Sequence, residues 1–534
     1  MASDSRKQGD LSRRDFMKGT LAAGAAAAAG GAGLLGQMTE AEAAAEKITW
    51  TDSRCIDSRD LSLVNGNFID HRGAVANAMT IKDGRIVDVG RARDVSACTL
   101  RINMRGRTVI PGLIDSSAHF TRTGCNPGFE TRWTESAFSI AELQQVIRDR
   151  AETVPPGRSN FITTQTGWSQ TQFVEGRLPT RVELDEAAPS CAVYLSGRTN
   201  SIGAAYFATV GIDTDPDTGQ VSNAAAALNA IRALNDFDNK LRGTADAIRF
   251  AAANGLTSIH DPSNLDIQPD DYRVMNTLYL QSGRQLDVRM RHYRYFGTTN
   301  ADFLRTYMDP IFRSAGDETY RIIGVGEQIG SDTDDLLENM RIVARAGWKL
   351  QQHTSTPARQ VPFFKQVGTE FDLFPLRWNY CHPGVLTPEQ INDLKSVGVG
   401  TPISTGPFRS LIDGGLQCGA MTDATNVAPL SPWVKFYYMV TGKTQANYIN
   451  GQITNANQQI TRLEALRLYT LGSAWFSDED HELGSFEVGK KADLAVLTHD
   501  LLTMDEQLIP KIKSDLTLQG GRVVHASGPF AGLA

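Results

Sequence analysis

Cysteine is scarce and scattered in this 534-residue chain. The six residues, Cys55, Cys98, Cys125, Cys191, Cys381 and Cys418, include no Cys-x-x-Cys pair, so neither a disulfide scaffold nor a structural zinc module follows from them. Long runs of one charge are also missing. With 53 Lys+Arg against 60 Asp+Glu the formal net charge is −7, and the absence of a basic stretch argues against nucleic acid as a main partner. No internal repeat is evident beyond an alternation of strands and helices. Histidine is rare, nine in all, which makes the position of each informative. What is present in quantity is ordinary for a soluble globular protein: 41% hydrophobic and 21% charged residues. The length allows a large core and more than one domain.

The N-terminus carries an export signal. Ser12-Arg-Arg-Asp-Phe-Met-Lys18 matches the twin-arginine motif, a weakly hydrophobic stretch runs from Leu21 to Leu35, and small residues follow at Ala41-Glu-Ala-Ala-Ala45. The stretch is ~15 residues long, too short and too rich in Gly for a stable membrane anchor. Residues 1–45 are therefore read as a signal peptide cut after Ala43 or Ala45. The mature protein is expected to be periplasmic or secreted, with the twin-arginine translocase as its partner during export.

Residues 46–108 read as short strands broken by turns, with Asp83-Gly84 a hairpin signal. Residues 484–534 repeat that texture, with Gly520-Gly521 between two strands. The two ends together predict one small composite β-sandwich domain. The middle, 109–483, alternates strands and helices, which points to a parallel α/β barrel. Ser139-x-x-Glu142, Thr387-Pro-x-Gln390 and Thr461-x-x-Glu464 mark helix starts, while Asn254-Gly255 and Gly347 mark helix ends. Eight strands can be laid out: Thr108–Leu113, Leu256–His260, Asp287–Tyr295, Arg321–Glu327, Trp348–His353, Leu376–His382, Val399–Ser404 and Cys418–Asp423. Eight is the number of a (β/α)8 TIM barrel. The long gap at about 121–245 reads as an insertion above it.

Catalytic residues of such barrels sit at the C-terminal ends of strands. The residues found there are His119, His260 with Asp261, Glu327, His353, His382 and Asp423. A single strand-end histidine is usually a hydrogen-bonded core residue. Several together with carboxylates read as convergent ligands. His260 and His292 are further candidates for lining the pocket, as are Trp168 in the insertion and Trp433 after the last strand, although aromatics at such places are more often packing.

The run Pro111-Gly-Leu-Ile-Asp-Ser-Ser-Ala-His-Phe120 resembles the opening motif of the amidohydrolase superfamily, Pro-Gly-x-Ile-Asp-x-His-x-His, with Ser117 in place of its first His and His119 in place of its second. Segments ending at His353, His382 and Asp423, and the run Leu483-Gly-Ser-Phe-Glu-Val-Gly-Lys-Lys-Ala-Asp-Leu-Ala-Val-Leu497, resemble later parts of the same superfamily. The family-3 branch, which contains YtcJ-like proteins and N-substituted formamide deformylases, is the most similar part of it. The resemblance implies a metal-dependent hydrolase cutting a C–N bond, amide or formamide in type. It also shows a departure. Where the superfamily often has a carboxylated Lys on strand four, this chain reads Gly324-Val-Gly-Glu327.

Loss of that Lys and of the first His implies one divalent metal rather than two, held by Glu327, His353 and His382. Zinc is expected, with iron or manganese as alternatives. Asp423 is implied as metal ligand and as general base and acid on a metal-activated water. His119 is implied as a weak ligand or a hydrogen-bond partner of substrate or Asp423. The superfamily's habit implies a homodimer acting on a small-molecule substrate. Two other functions stay open: lyase or isomerase chemistry on the same fold, or a metal-free exported binding protein.

Overall fold

The computed structural model describes residue 55 and residues 57–533, apart from 125, 165–166, 264–268, 295–300, 309–313, 331–333, 354–355 and 425–427. The export signal read in residues 1–45 lies outside the described residues.

Both chain ends meet in one sheet. Its six strands run in the order Gly73–Ala76, Asn67–Asp70, Thr108–Pro111, Leu494–Leu497, Ser514–Gln519, Arg522–Ala526. A four-stranded sheet, Arg85–Val89, Met79–Lys82, Leu61–Val64 and Leu100–Asn103, lies with it, and one apolar cluster draws Leu63, Ile81, Phe68, Val109, Val496 and Leu516 from the two. The hairpin signals hold. Asp83 (φ 50°) and Gly84 (φ 76°) connect Lys82 to Arg85, and Gly520 (55°) and Gly521 (74°) connect Gln519 to Arg522. Positive φ at both central residues is the two-residue turn whose twist matches paired strands. A disulfide joins Cys55 and Cys98, 43 residues apart. That spacing carries no motif, so the pairing was illegible in the sequence.

A parallel sheet follows, in the order Leu113–Asp115, Leu256–Asp261, Arg289–Arg294, Tyr320–Val325, Lys349–His353, Asn379–Cys381. Thr401–Ile403 and Cys418–Ala420 form a further parallel pair. Helices such as Phe237–Ala253, Pro269–Gln281, Asp334–Arg345 and Pro388–Ser396 alternate with these strands. The result is a mixed α/β fold with a curled parallel sheet, like that of a TIM barrel. One expected strand divides. Thr108–Leu113 was read as a single barrel strand, but Thr108–Pro111 pairs with Leu494–Leu497 and Asn67–Asp70, while Leu113–Asp115 enters the parallel sheet. Gly112 is the break: a Cβ there would lie 2.3 Å from the hydroxyl of Thr257, so only glycine lets the chain pass this close.

Between Phe120–Gly124 and Phe237–Ala253 the chain builds a separate four-stranded sheet, Arg198–Thr199, Cys191–Leu195, Gly157–Thr164 and Phe129–Glu130. Thr387 and Thr461 form complete capping boxes with Gln390 and Glu464. Ser139 also caps its helix, but the Glu142 carboxylate accepts from the Phe138 N–H, one residue earlier than a capping box requires.

Charge is buried beneath the parallel sheet. Arg291, fully buried, donates two hydrogen bonds to Glu479 at 2.9 and 2.7 Å. Burial alone would raise the Glu479 pKa; the Arg291 guanidinium reverses this and holds it far below the usual range. Removing one partner of such a pair strands the other charge and costs about 3–5 kcal/mol. Glu479→Gln is therefore expected to lower the unfolding free energy in urea by that amount. A loss under about 1 kcal/mol would show the pair to be expendable.

Candidate metal centre

Five of the residues expected to form the site converge at one end of the parallel sheet. His353 ends its strand, His382 follows Cys381, Glu327 lies two residues past Val325, Asp423 three past Ala420, and His119 four past Asp115. The carboxylate oxygen of Glu327 and the ring nitrogens of His353 and His382 all lie within 4.8 Å of one another. His353 Nδ1 is 2.9 Å and His382 Nε2 3.6 Å from Glu327 Oε1. His119 Nε2 faces Glu327 Oε2 at 3.5 Å and Asp423 Oδ1 at 3.6 Å. His382 Nε2 is 3.8 Å from Asp423 Oδ1.

The electrostatics fit a cation-binding pocket. Burial would raise the Glu327 pKa, but the hydrogen bonds to His353 and His382 and the charge of His119 hold it well below the carboxylate range. Burial likewise opposes charge on His119, and there too it loses: Asp423 and Glu327 raise His119 to about 9. Two carboxylates facing three imidazoles make the pocket attractive to a cation. His119 Nδ1 sits 2.7 Å from the Ser263 carbonyl oxygen. A carbonyl only accepts, so Nδ1 carries the hydrogen and the neutral ring turns the lone pair of Nε2 toward the cluster, as a metal-binding imidazole does.

The donor set passes the chemical test for a divalent ion. One carboxylate and two imidazoles, with a third imidazole and a second carboxylate adjacent, are the borderline N and O ligands that zinc, iron and manganese take. His382 (φ 53°) and Asp423 (φ 59°) both stand in the left-handed region. That conformation is uncommon outside glycine and costs on the order of 1–3 kcal/mol, and it clusters at functional sites.

Behind the cluster Asp115, fully buried, ties the ends of two strands together. It accepts from the Thr422 hydroxyl at 2.5 Å and from the Thr422 and Ser117 N–H groups at 3.1 Å each, and burial raises its pKa to about 7. The Asp423 N–H donates to the Ser117 carbonyl at 3.0 Å. Ser117, in the place of the superfamily's first histidine, is buried and contributes backbone to the support of Asp423.

The other candidates are not among the three converging ligands. His260 is fully buried with neither ring nitrogen partnered among the described residues. Burial lowers its pKa to about 3, with the charge of Glu479 opposing and those of Arg291 and Lys349 adding to the shift. His292 packs 5.0 Å from the ring of Tyr320, with Asp261 3.8 Å away. Trp168 is half-buried and packs on Phe173. Trp433 is 0% exposed and donates its indole N–H to the Asn254 carbonyl at 3.1 Å, a core position rather than a pocket wall. Sequence reasoning passed over Asp115, although it stands inside the Pro111–Phe120 run.

Comparison with known proteins places the chain in a family. The sequence profile of the amidohydrolase family matches residues 101–525, and that of the twin-arginine translocation pathway signal sequence matches residues 10–35. The latter marks the chain for export by that pathway, and among the described residues no helix is long and apolar enough to cross a membrane. The N-substituted formamide deformylase of Arthrobacter pascens is 24% identical over 517 residues, covering 83% of this chain and 94% of its own. An uncharacterised metal-dependent hydrolase from Pyrococcus horikoshii shares the fold with a TM-score of 0.54 at 18% identity, over 84% of this chain and 99% of its own. A variant of the atrazine chlorohydrolase TrzN from Arthrobacter aurescens, solved with zinc and atraton, gives 0.53 at 15% identity over 88% and 96%. The profile match spans most of the chain and includes every residue of the cluster: this protein belongs to the amidohydrolase family and is a metal-dependent hydrolase.

Proposed function

We propose that the chain is an exported hydrolase of amide or formamide C–N bonds that works with one divalent ion, zinc, held by Glu327, His353 and His382. The convergence of these three ligand atoms within 4.8 Å carries the reading. A divalent ion at such a site supplies Lewis acidity, lowering the pKa of water to ~7 and polarising a carbonyl. Asp423 removes the proton of the attacking water and returns it to the departing nitrogen, which would otherwise leave as an anion. His119, fixed through Nδ1 by Ser263, holds Nε2 toward Asp423 and orients that carboxylate. The resemblance to a formamide deformylase over nearly its whole length supports the bond type.

The same proposal closes the parallel strands into a (β/α)8 barrel. The Ser116 N–H donates to the Ala420 carbonyl at 2.9 Å, and Asn379 bridges Gly400. In this reading the barrel begins at Leu113, the strand-rich ends form one composite β-sandwich, and the sheet between Phe129 and Thr199 is an insertion. The test is a paired one. The purified protein is expected to contain one metal equivalent and to cleave N-benzylformamide or a simple amide. Two equivalents, or turnover of lactones alone, would overturn the mononuclear and the C–N reading respectively.

A further inference from the structure

Asp261 is fully buried at the end of the strand Leu256–Asp261 and takes no part in the proposed reaction. Its carboxylate joins two segments of chain. Oδ2 accepts from the Thr121 N–H and from the Thr121 hydroxyl, each at 2.6 Å. Oδ1 accepts from the Ser263 N–H at 2.8 Å. His292 Nδ1, at 3.8 Å from Oδ2, is beyond hydrogen-bond reach. Burying a carboxylate is costly unless its oxygens are hydrogen-bonded. Here the donors come from two residues that flank one imidazole. Thr121 is two residues past His119, and the Ser263 carbonyl takes His119 Nδ1 at 2.7 Å.

The local sequence explains the Ser263 arm. Pro262 has no N–H, so the first main-chain donor beyond Asp261 is that of Ser263. An aspartate that accepts from the backbone two residues ahead closes an Asx turn. Ser263 stands at φ 61°, a left-handed backbone uncommon for serine, and the bond to Asp261 holds it there. With its N–H tied back, the Ser263 carbonyl faces His119. The main chain of His119 is fixed separately. The Ala118 N–H donates to the His260 carbonyl at 2.9 Å, and the His119 N–H to the Ala424 carbonyl at 2.6 Å. Those bonds place the backbone but leave the ring its side-chain torsions, and the Ser263 carbonyl acts on the ring.

We infer that Asp261 is the positioning residue of His119: its two oxygens hold Ser263 and Thr121 on either side of the imidazole, so that Nε2 points at Glu327 and Asp423. The catalytic consequence rests on the reading of His119 as the group that orients Asp423; the geometry does not.

Asp261→Asn tests it. An amide puts an NH2 group where one oxygen stood, so asparagine can serve Ser263 or Thr121 but not both. In a crystal structure of this variant the His119 ring is expected to have left the Ser263 carbonyl. Turnover is followed on N-benzylformamide, or on a lactone if that is the bond cleaved, so a failed C–N reading leaves the test intact. Asp261→Asn should lower kcat by about 10–100-fold, with KM and metal content near the wild-type values. The Asp261→Asn/His119→Gln double variant should be no slower than His119→Gln alone, within about twofold. Ser263→Pro, which removes the same donor and forbids a φ of 61°, should repeat the pattern and serves if Asp261→Asn fails to fold. An unmoved ring, or single effects that multiply in the double variant, overturns the inference. If the ring moves while Asp261→Asn and His119→Gln both turn over like the wild type, the positioning stands and the role given to His119 fails.

Discussion

Glu327→Ala is expected to lose the bound divalent ion and, with it, hydrolytic activity. Replacing groups that merely orient a ligand typically costs 10–100-fold in metal affinity or activity, so deleting one of three proposed ligands should exceed about 100-fold. The effect is sharpened by position. Glu327 touches His353 at 2.9 Å and lies 3.5–3.6 Å from His119 and His382, so its removal leaves three imidazoles facing one another with Asp423 as their remaining carboxylate. Metal per chain by atomic emission, before and after dialysis, checks the result. His353→Ala should behave in the same way. Retention of a full equivalent by both variants would remove them from the ligand set.

Asp423→Asn separates proton transfer from metal binding. The left-handed backbone at Asp423 (φ 59°) is one that asparagine tolerates nearly as well as aspartate, and the Asp423 N–H bond to Ser117 is independent of the side chain. The substitution therefore changes charge and basicity with little cost in structure. General acid–base catalysis contributes about 10²–10⁴-fold, and a fall in kcat of that size is expected, with metal content near the wild-type value. An unchanged kcat would assign the proton transfer to another group, with His119 the nearest alternative. Loss of metal instead would make Asp423 chiefly a ligand.

The parts of the site that could be read from the sequence share one physical basis. Strand ends deliver His119, Glu327, His353, His382 and Asp423 to the same end of the parallel strands, the end at which such folds carry their chemistry. His260 and His292 also lie on these strands but outside the converging ligand set. Arg291, Asp261, Tyr320 and Glu479 occupy their surroundings, and those partners come from distant elements that no local pattern announces. The division at Gly112 was illegible because every residue from Thr108 to Asp115 is buried. A run that is apolar on both faces fits either sheet, and only the close approach to Thr257 marks the change. Trp433 fits a pocket wall in one dimension and proves to be core in three.

The division at Gly112 also fixes when the site can come into existence. The segment that delivers His119 is clamped just upstream, at Thr108–Pro111, by Leu494–Leu497. That clamp is in turn paired with Ser514–Gln519, from the far end of the described residues. A ribosome-bound chain still lacking these residues has every candidate ligand but not the strand that secures one of them. The site therefore waits on a pairing between segments far apart in the chain, and a secretion system that threads unfolded chains would have to undo the clamp or postpone it. An address for the machinery that carries folded cargo, at residues 10–35, matches that order of events.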